Sequence, residues 1–194
     1  MFYANRAWDE RSEKGYMKDI EDEYQAPADR ITAGPDSLTT AECPVVTKFV
    51  ALWSLREATR TSPTADAPMA GVAGEPLAAD QRERTEKFGA SYVRSDGKMP
   101  GRMLAGMLIQ RGIDRMCADF QGMTWGIARA TEGEFICPDT FGEFAAVPLS
   151  PMLCLLRGRN NSELSKGDVA AVNQLAYRSA KSYCLARDFA ACPR

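Results

Sequence analysis

The spacing of apolar residues changes once along this chain of 194 residues, close to position 120. Before that point apolar residues recur every three or four positions, most clearly over 102–120, and this period predicts amphipathic helices. A last helical pattern follows Ser165, an N-cap residue with Asp168 three positions later, and its predicted buried face continues from Val169 to Tyr183. Between them the chain offers short β-like runs, at 123–130, 134–137, 143–149 and 152–157.

This order of elements predicts an α+β fold. We expect a mainly helical N-terminal part, a small and largely antiparallel sheet at about 123–157, and a closing C-terminal helix. A length of 194 residues, with 45% hydrophobic and 26% charged content, is typical of one globular domain, so 1–194 is predicted to be a single domain. Within it, 61–79 holds three prolines, two glycines and no aromatic residue, which predicts a flexible loop.

The sequence also bears on localisation. No stretch of about 18 apolar residues is present, so neither a transmembrane helix nor a membrane partner is predicted. The first residues lack a basic segment followed by an apolar one, which argues against a secretory signal. Six cysteines without a CxxC pair are typical of reduced thiols, buried except for Cys192, which we expect to be the most exposed. Together these features predict a cytoplasmic protein.

The absence of histidine narrows the chemistry that the chain can perform. Ser-His-Asp and Cys-His catalytic groups, and histidine metal sites, cannot be built without it. Motifs for phosphate loops, dinucleotide binding, zinc proteases and calcium loops are missing as well. We therefore predict no cofactor and no metal site. A protein without enzymatic activity is favoured, although an enzyme stays open.

One turn-rich segment, GEFICPDTFGEFAAVPLSPMLCLL at 133–156, stands out as a candidate site. The pair Glu132-Gly133 just before it predicts a hairpin turn. An alternative function is therefore a metal- or carboxylate-dependent hydrolase or nuclease of unknown substrate, which would use the 132–143 loop with Asp139 as the candidate catalytic residue. Solvated turn carboxylates are the other interpretation of the acidic residues here, which are Glu132, Glu134, Asp139 and Glu143.

Charge is distributed unevenly, although the net charge is only −2. Residues 1–30 hold eight acidic and five basic residues, whereas 151–194 hold three acidic and seven basic ones. Neither excess is large enough to predict nucleic-acid binding. A helix predicted over 3–25 ends in an acidic cluster, whose carboxylates would oppose the helix dipole there. The cluster is either a solvated face or the candidate surface for a basic protein partner, and consists of Asp19, Glu21, Asp22 and Glu23.

Five segments form a further pattern: FVALWSLR at 49–56, MTWGIARA at 123–130, EFICPDTF at 134–141, VPLSPMLCLL at 147–156 and VNQLAYRSAKSYCLAR at 172–187. In this order they resemble a large, uncharacterised bacterial family. Its longer members begin with a His-Tyr-Val-Pro segment and carry a Phe-Ile-Thr-Ser-Asp-Asn-Pro loop. Here that opening is absent, and Asp139 alone corresponds to a polar residue of the loop. The resemblance implies a retained scaffold around a lost polar site.

The sequence supports three hypotheses of function. The leading one is a non-enzymatic protein-binding module, such as a phage or mobile-element inhibitor of a host bacterial defence protein (an anti-CRISPR is one example). The alternative is the hydrolase or nuclease, and the third is a structural or oligomeric module. The first hypothesis predicts a protein partner, for which the acidic cluster and 61–79 are the expected contact surfaces.

Overall fold

The computed structural model of the chain describes residues 7–34, 37–141 and 146–194, and its fold is α+β, as predicted. None of the described helices is long and apolar enough to cross a membrane. The helices are α1 (Glu10–Ser12), which continues through a π-helical turn (Glu13–Met17) into α2 (Lys18–Ala33), then α3 (Cys43–Thr61), α4 (Ala79–Lys87), α5 (Gly101–Asp119), α6 (Lys166–Ser179) and a 3₁₀ turn (Phe189–Ala191).

The central sheet has the strand order β5-β6-β3-β7. Its β3–β6 and β5–β6 pairs are antiparallel and its β3–β7 pair is parallel, so the predicted largely antiparallel sheet is confirmed. Two further pairs, β1–β2 and β4–β8, lie apart from it. The strands are β1 (Ala67–Pro68), β2 (Lys98–Met99), β3 (Trp125–Ala130), β4 (Cys137–Pro138), β5 (Ala146–Ser150), β6 (Leu153–Arg157), β7 (Ser162–Leu164) and β8 (Cys184–Leu185).

Helices cover both faces of the central sheet, which explains why β6 is apolar at almost every position. Leu153 and Leu155 belong to a cluster with α2 and α3, while Cys154 and Leu156 belong to a cluster with α6. Trp125 is also buried, and its indole N–H donates a hydrogen bond to the side-chain hydroxyl of Thr47 in α3. The α5 helix packs on α3 in turn, so the chain forms successive layers in the order α5, α3 with α2, sheet, α6.

The predicted hairpin at Glu132-Gly133 is wrong. Gly133 does form a turn, with a φ of +86° that glycine adopts without strain, but 134–137 does not return alongside β3. Both edges of β3 are occupied by β6 and β7, so the chain turns away and β4 pairs with β8 instead. The sequence does not predict β7, because Ser162 and Glu163 give it no apolar alternation.

The predicted position of the acidic cluster at the end of a helix is also wrong. The helix runs past position 25 as far as Ala33, because side chains such as Tyr24 are buried against α3 and hold it there. Asp19 and Glu21 therefore lie in the first turn of α2, where carboxylates interact favourably with the helix dipole. These two carboxylates stabilise their own helix, so the position of the cluster alone no longer argues for a partner.

The segment 61–79 contacts the helical part at two points. β1 pairs with β2, and Asp66 accepts a hydrogen bond of 2.9 Å from the backbone N–H of Gly101 at the beginning of α5. Gly74 lies so close to Val93 that a Cβ would stand 1.6 Å from its carbonyl oxygen. These contacts give the segment a defined path, while its flexibility stays a prediction.

Replacing Gly126 of β3 with alanine is expected to lower the free energy of unfolding by about 2 kcal/mol. The connection from β6 to β7 crosses this position, and an alanine Cβ would lie 2.5 Å from the carbonyl oxygen of Asn160. Moving the connection away would break the hydrogen bond from the Ile127 N–H to Asn161 Oδ1. Unfolding in urea measures the change.

Gly167→Ala in α6 is the matched control, because the nearest atom to its Cβ would be Ser165 Oγ at 3.8 Å. We expect this variant to be neutral or slightly stabilised, since alanine favours helices. Equal stability of the two variants would contradict the close crossing at Gly126.

Candidate functional site

The segment 133–141, which we name the platform loop, holds the C-terminal part of the chain in place through Asp139. Asp139 Oδ1 accepts a hydrogen bond of 2.8 Å from the backbone N–H of Lys181, and Oδ2 accepts one of 2.9 Å from that of Ser182. The N–H of Asp139 donates to the carbonyl oxygen of Tyr183 at 3.1 Å. Both carboxylate oxygens are thus bound to backbone, and they fix the direction of the chain just after α6.

These hydrogen bonds also set the charge of Asp139. Desolvation alone would raise its pKa, but the N–H groups of Lys181 and Ser182 favour the carboxylate and hold the pKa below its ordinary value of 3.8. A general acid working at neutral pH needs the opposite shift. The environment of Asp139 is that of a structural carboxylate, and it lends no support to the candidate catalytic role.

The other described carboxylates of the 132–143 loop each contact a different cation. Glu132 forms a salt bridge of 2.8 Å with Lys166, and the buried Glu134 forms one with Arg187. Glu143 lies outside the described residues. Among the described residues no group of three histidine, cysteine, aspartate or glutamate side chains is arranged to hold a metal ion. The structure therefore holds Glu132, Glu134 and Asp139 on one stretch of chain without assembling these three into one site.

Asn173 of α6 joins the platform loop to the end of the chain. Its buried side chain accepts a hydrogen bond of 3.0 Å from the N–H of Ile136 and donates to the carbonyl oxygens of Glu134 (2.9 Å) and Pro193 (3.0 Å). The N–H of Glu134 donates to the carbonyl oxygen of Ala191, and β4 pairs with β8. Residues 180–193 consequently lie in one defined path on the platform loop.

Side chains alternate between inside and outside along this path, as in an extended strand. Cys184 and Ala186 pack inward against α6, whereas Tyr183, Leu185 and Phe189 point outward. These three large apolar side chains are 56%, 61% and 47% exposed. Their exposure was not predicted, because the helical pattern after Ser165 continues through Tyr183, whereas α6 ends at Ser179. The segment 183–187 reads Tyr-Cys-Leu-Ala-Arg, so no alternation of apolar and polar residues marks which side chains face outward.

Exposed cations surround these apolar side chains. We name the whole set the C-terminal surface: Tyr183, Leu185 and Phe189 with Lys181, Arg187 and Arg194. A hollow of about 460 Å³ opens within it, between Tyr177, Tyr183, Phe189, Lys181 and Arg194. The Arg194 guanidinium lies over the Tyr177 ring, 5.0 Å from its centroid. The surface thus combines apolar area, positive charge and concavity, the combination that favours recognition of another molecule.

The candidate partner-binding carboxylates of α2 are largely compensated within the chain. Glu21 contacts Arg56 at 2.5 Å, and Asp22 binds Lys18 at the same distance. Glu23 lies 3.8 Å from Lys48, while Asp19 is exposed beside them on the same helix. The structure brings the four residues to one helical segment, but it gives three of them cationic neighbours. Their role in partner binding stays a prediction.

The described cysteines are all free thiols, in agreement with the sequence analysis. The expectation that Cys192 is the most exposed is wrong, because it is only 5% exposed and packs beside Ile136 and Ala176. Burial also raises the pKa of the Cys137 thiol, which further disfavours a reactive thiolate in the platform loop.

Comparison with known proteins found no matching family model, no matching curated protein and no matching solved structure. The resemblance to the bacterial family with the His-Tyr-Val-Pro opening therefore stays an interpretation of the sequence.

Replacing Asp139 with asparagine is expected to lower the free energy of unfolding at pH 7 by about 1 kcal/mol, since the amide offers one acceptor oxygen in place of two. Because the folded-state pKa is depressed, the advantage of the wild type is complete above the ordinary value of 3.8. It should fade as the pH falls through the lower pKa of the folded state. Urea unfolding of both proteins across this range measures it.

Glu132→Gln provides the control on the same loop, because Glu132 and Lys166 form a solvated surface pair that contributes little. A pH-independent difference between Asp139→Asn and the wild type would contradict the backbone hydrogen bonds assigned to Asp139.

Proposed function

We propose that the protein is a non-enzymatic protein-binding module whose partner contacts the C-terminal surface. The observation that carries the proposal is the exposure of Tyr183, Leu185 and Phe189 within seven residues of one another, on a segment fixed by the platform loop. Aromatic and large aliphatic side chains supply most of the free energy at protein interfaces when they become fully buried. Covering them releases about 25 cal/mol per Å² of apolar area.

The order of this segment supports the same proposal. A mobile peptide loses conformational entropy when it binds, and this loss weakens the complex. Here the hydrogen bonds of Asp139 and Asn173, together with the β4–β8 pair, restrain the backbone before any partner arrives. Such a segment binds with less entropic loss than a flexible one of the same composition.

A host bacterial defence protein is the partner that we propose, with the present chain acting as its inhibitor in the manner of an anti-CRISPR. The support for this narrower proposal is the resemblance to a bacterial family with a lost polar site, together with the absence of histidine-based catalytic groups. The acidic cluster of α2 is proposed as a second contact, in which basic groups of the partner would replace the internal cations. No contact among the described residues favours the hydrolase alternative.

Affinity capture from bacterial lysate with three versions of the protein tests the main proposal. We expect the wild type to retain a stoichiometric protein that the triple variant Tyr183→Ser, Leu185→Ser, Phe189→Ser loses by at least about tenfold, equivalent to 1.4 kcal/mol. Quantitative mass spectrometry of the bound fraction measures the loss.

The control carries Met107→Ser and Leu108→Ser, which remove side chains of comparable exposure, 62% and 53%, from α5. It should retain the partner as the wild type does. Equal retention by the triple variant, or loss by both variants, would refute the C-terminal surface as the contact. Thermal unfolding of all three proteins shows whether they remain folded.

A further inference from the structure

The charges around the hollow of the C-terminal surface indicate what chemistry it accepts. Lys181 and Arg194 line it, and none of its described lining residues has a carboxylate side chain. Within the described part of the chain, neither of these two cations forms a salt bridge, whereas Arg187 is paired with Glu134. The hollow is therefore lined by two cations that have no salt-bridge partner among the described residues.

The nearest acidic side chain in the sequence is engaged elsewhere. Asp188 Oδ1 accepts a hydrogen bond of 2.9 Å from the backbone N–H of Ala190 at the beginning of the 3₁₀ turn. Asp139, which also lies close in space, has both oxygens bound to backbone N–H groups. Both carboxylates keep their negative charge, but each is bound to backbone N–H groups and neither forms a salt bridge with Lys181 or Arg194.

The walls of the hollow add apolar surface beside its two cations. Tyr177, Tyr183 and Phe189 supply aromatic side chains there. The guanidinium of Arg194 stacks over the Tyr177 ring, an arrangement that restrains the side chain while its N–H groups still point outward in its own plane. Charge-assisted hydrogen bonds from such cations to a carboxylate are stronger than hydrogen bonds between neutral groups.

We propose that the hollow binds an aspartate or glutamate side chain of an acidic partner segment, whose neighbouring apolar residues cover Tyr183, Leu185 and Phe189. This inference rests on the proposed function and adds the chemistry of the partner to it. The volume of about 460 Å³ accommodates a carboxylate side chain together with part of an adjacent apolar one. The partner segment is therefore both acidic and apolar, with the two kinds of residue next to each other.

Selection from a random dodecapeptide library displayed on phage tests this chemistry. The full chain serves as bait, and counter-selection uses the variant with Tyr183→Ser, Leu185→Ser and Phe189→Ser. We expect the enriched peptides to carry aspartate or glutamate beside leucine, phenylalanine or tryptophan. One enriched peptide is then synthesised with a fluorescent label, and its dissociation constant is measured by anisotropy.

Lys181→Glu and Arg194→Glu are each expected to weaken that peptide by about tenfold, and added salt should weaken it for the wild type. Arg111→Glu makes the same charge change at an exposed position of α5, and it should alter the affinity by less than about twofold. Urea unfolding shows whether the three variants are as stable as the wild type.

Three results would overturn the inference. Enriched peptides without an excess of acidic residues would show an apolar surface alone, and the proposed function would survive. The same holds if no peptide is enriched while a captured protein still depends on Tyr183, Leu185 and Phe189. A dimer detected by light scattering and abolished by Lys181→Glu would identify a second copy of the chain as the occupant instead.

Discussion

The hydrogen bonds of one buried amide, Asn173, determine where the last part of this chain lies. An amide enclosed in the protein must find partners for its oxygen and its N–H groups, since each one left unpaired costs about 1–3 kcal/mol. Asn173 finds them in the platform loop on one side and at Pro193 on the other. The platform loop, α6 and residues 180–193 consequently pack together, and this packing holds the exposed apolar residues of the segment in fixed positions.

The helices and the class of the fold could be predicted because their signals are local. Apolar periodicity marks α3 and α5, and Ser165 with Asp168 marks the beginning of α6. Strand pairing was harder to predict from the sequence, because the partners of β3 and β4 lie more than twenty residues further along the chain. No local pattern states that the turn at Gly133 leads to β8.

The role of Asp139 was also hard to predict from the sequence, because it depends on residues far away along the chain. Asp139 was singled out as the candidate catalytic residue of its loop, but an aspartate in a turn has the same sequence signature whether it binds a substrate or a backbone N–H. Its partners at 181 and 182 are more than forty positions away. Tyr183 was assigned to a buried helical face because the end of α6 carries no glycine or proline to mark it.

The central position of β3 has a consequence for how the chain folds during synthesis. β3 leaves the ribosome before either of its neighbours, since β6 begins 28 residues and β7 37 residues after Trp125. Until then both of its edges are unpaired, and an apolar strand with open edges can pair with another chain. The helices α2 and α3 are already available to cover one face of it. The nascent chain is therefore most exposed to misassembly between the emergence of β3 and the emergence of β6 from the ribosome.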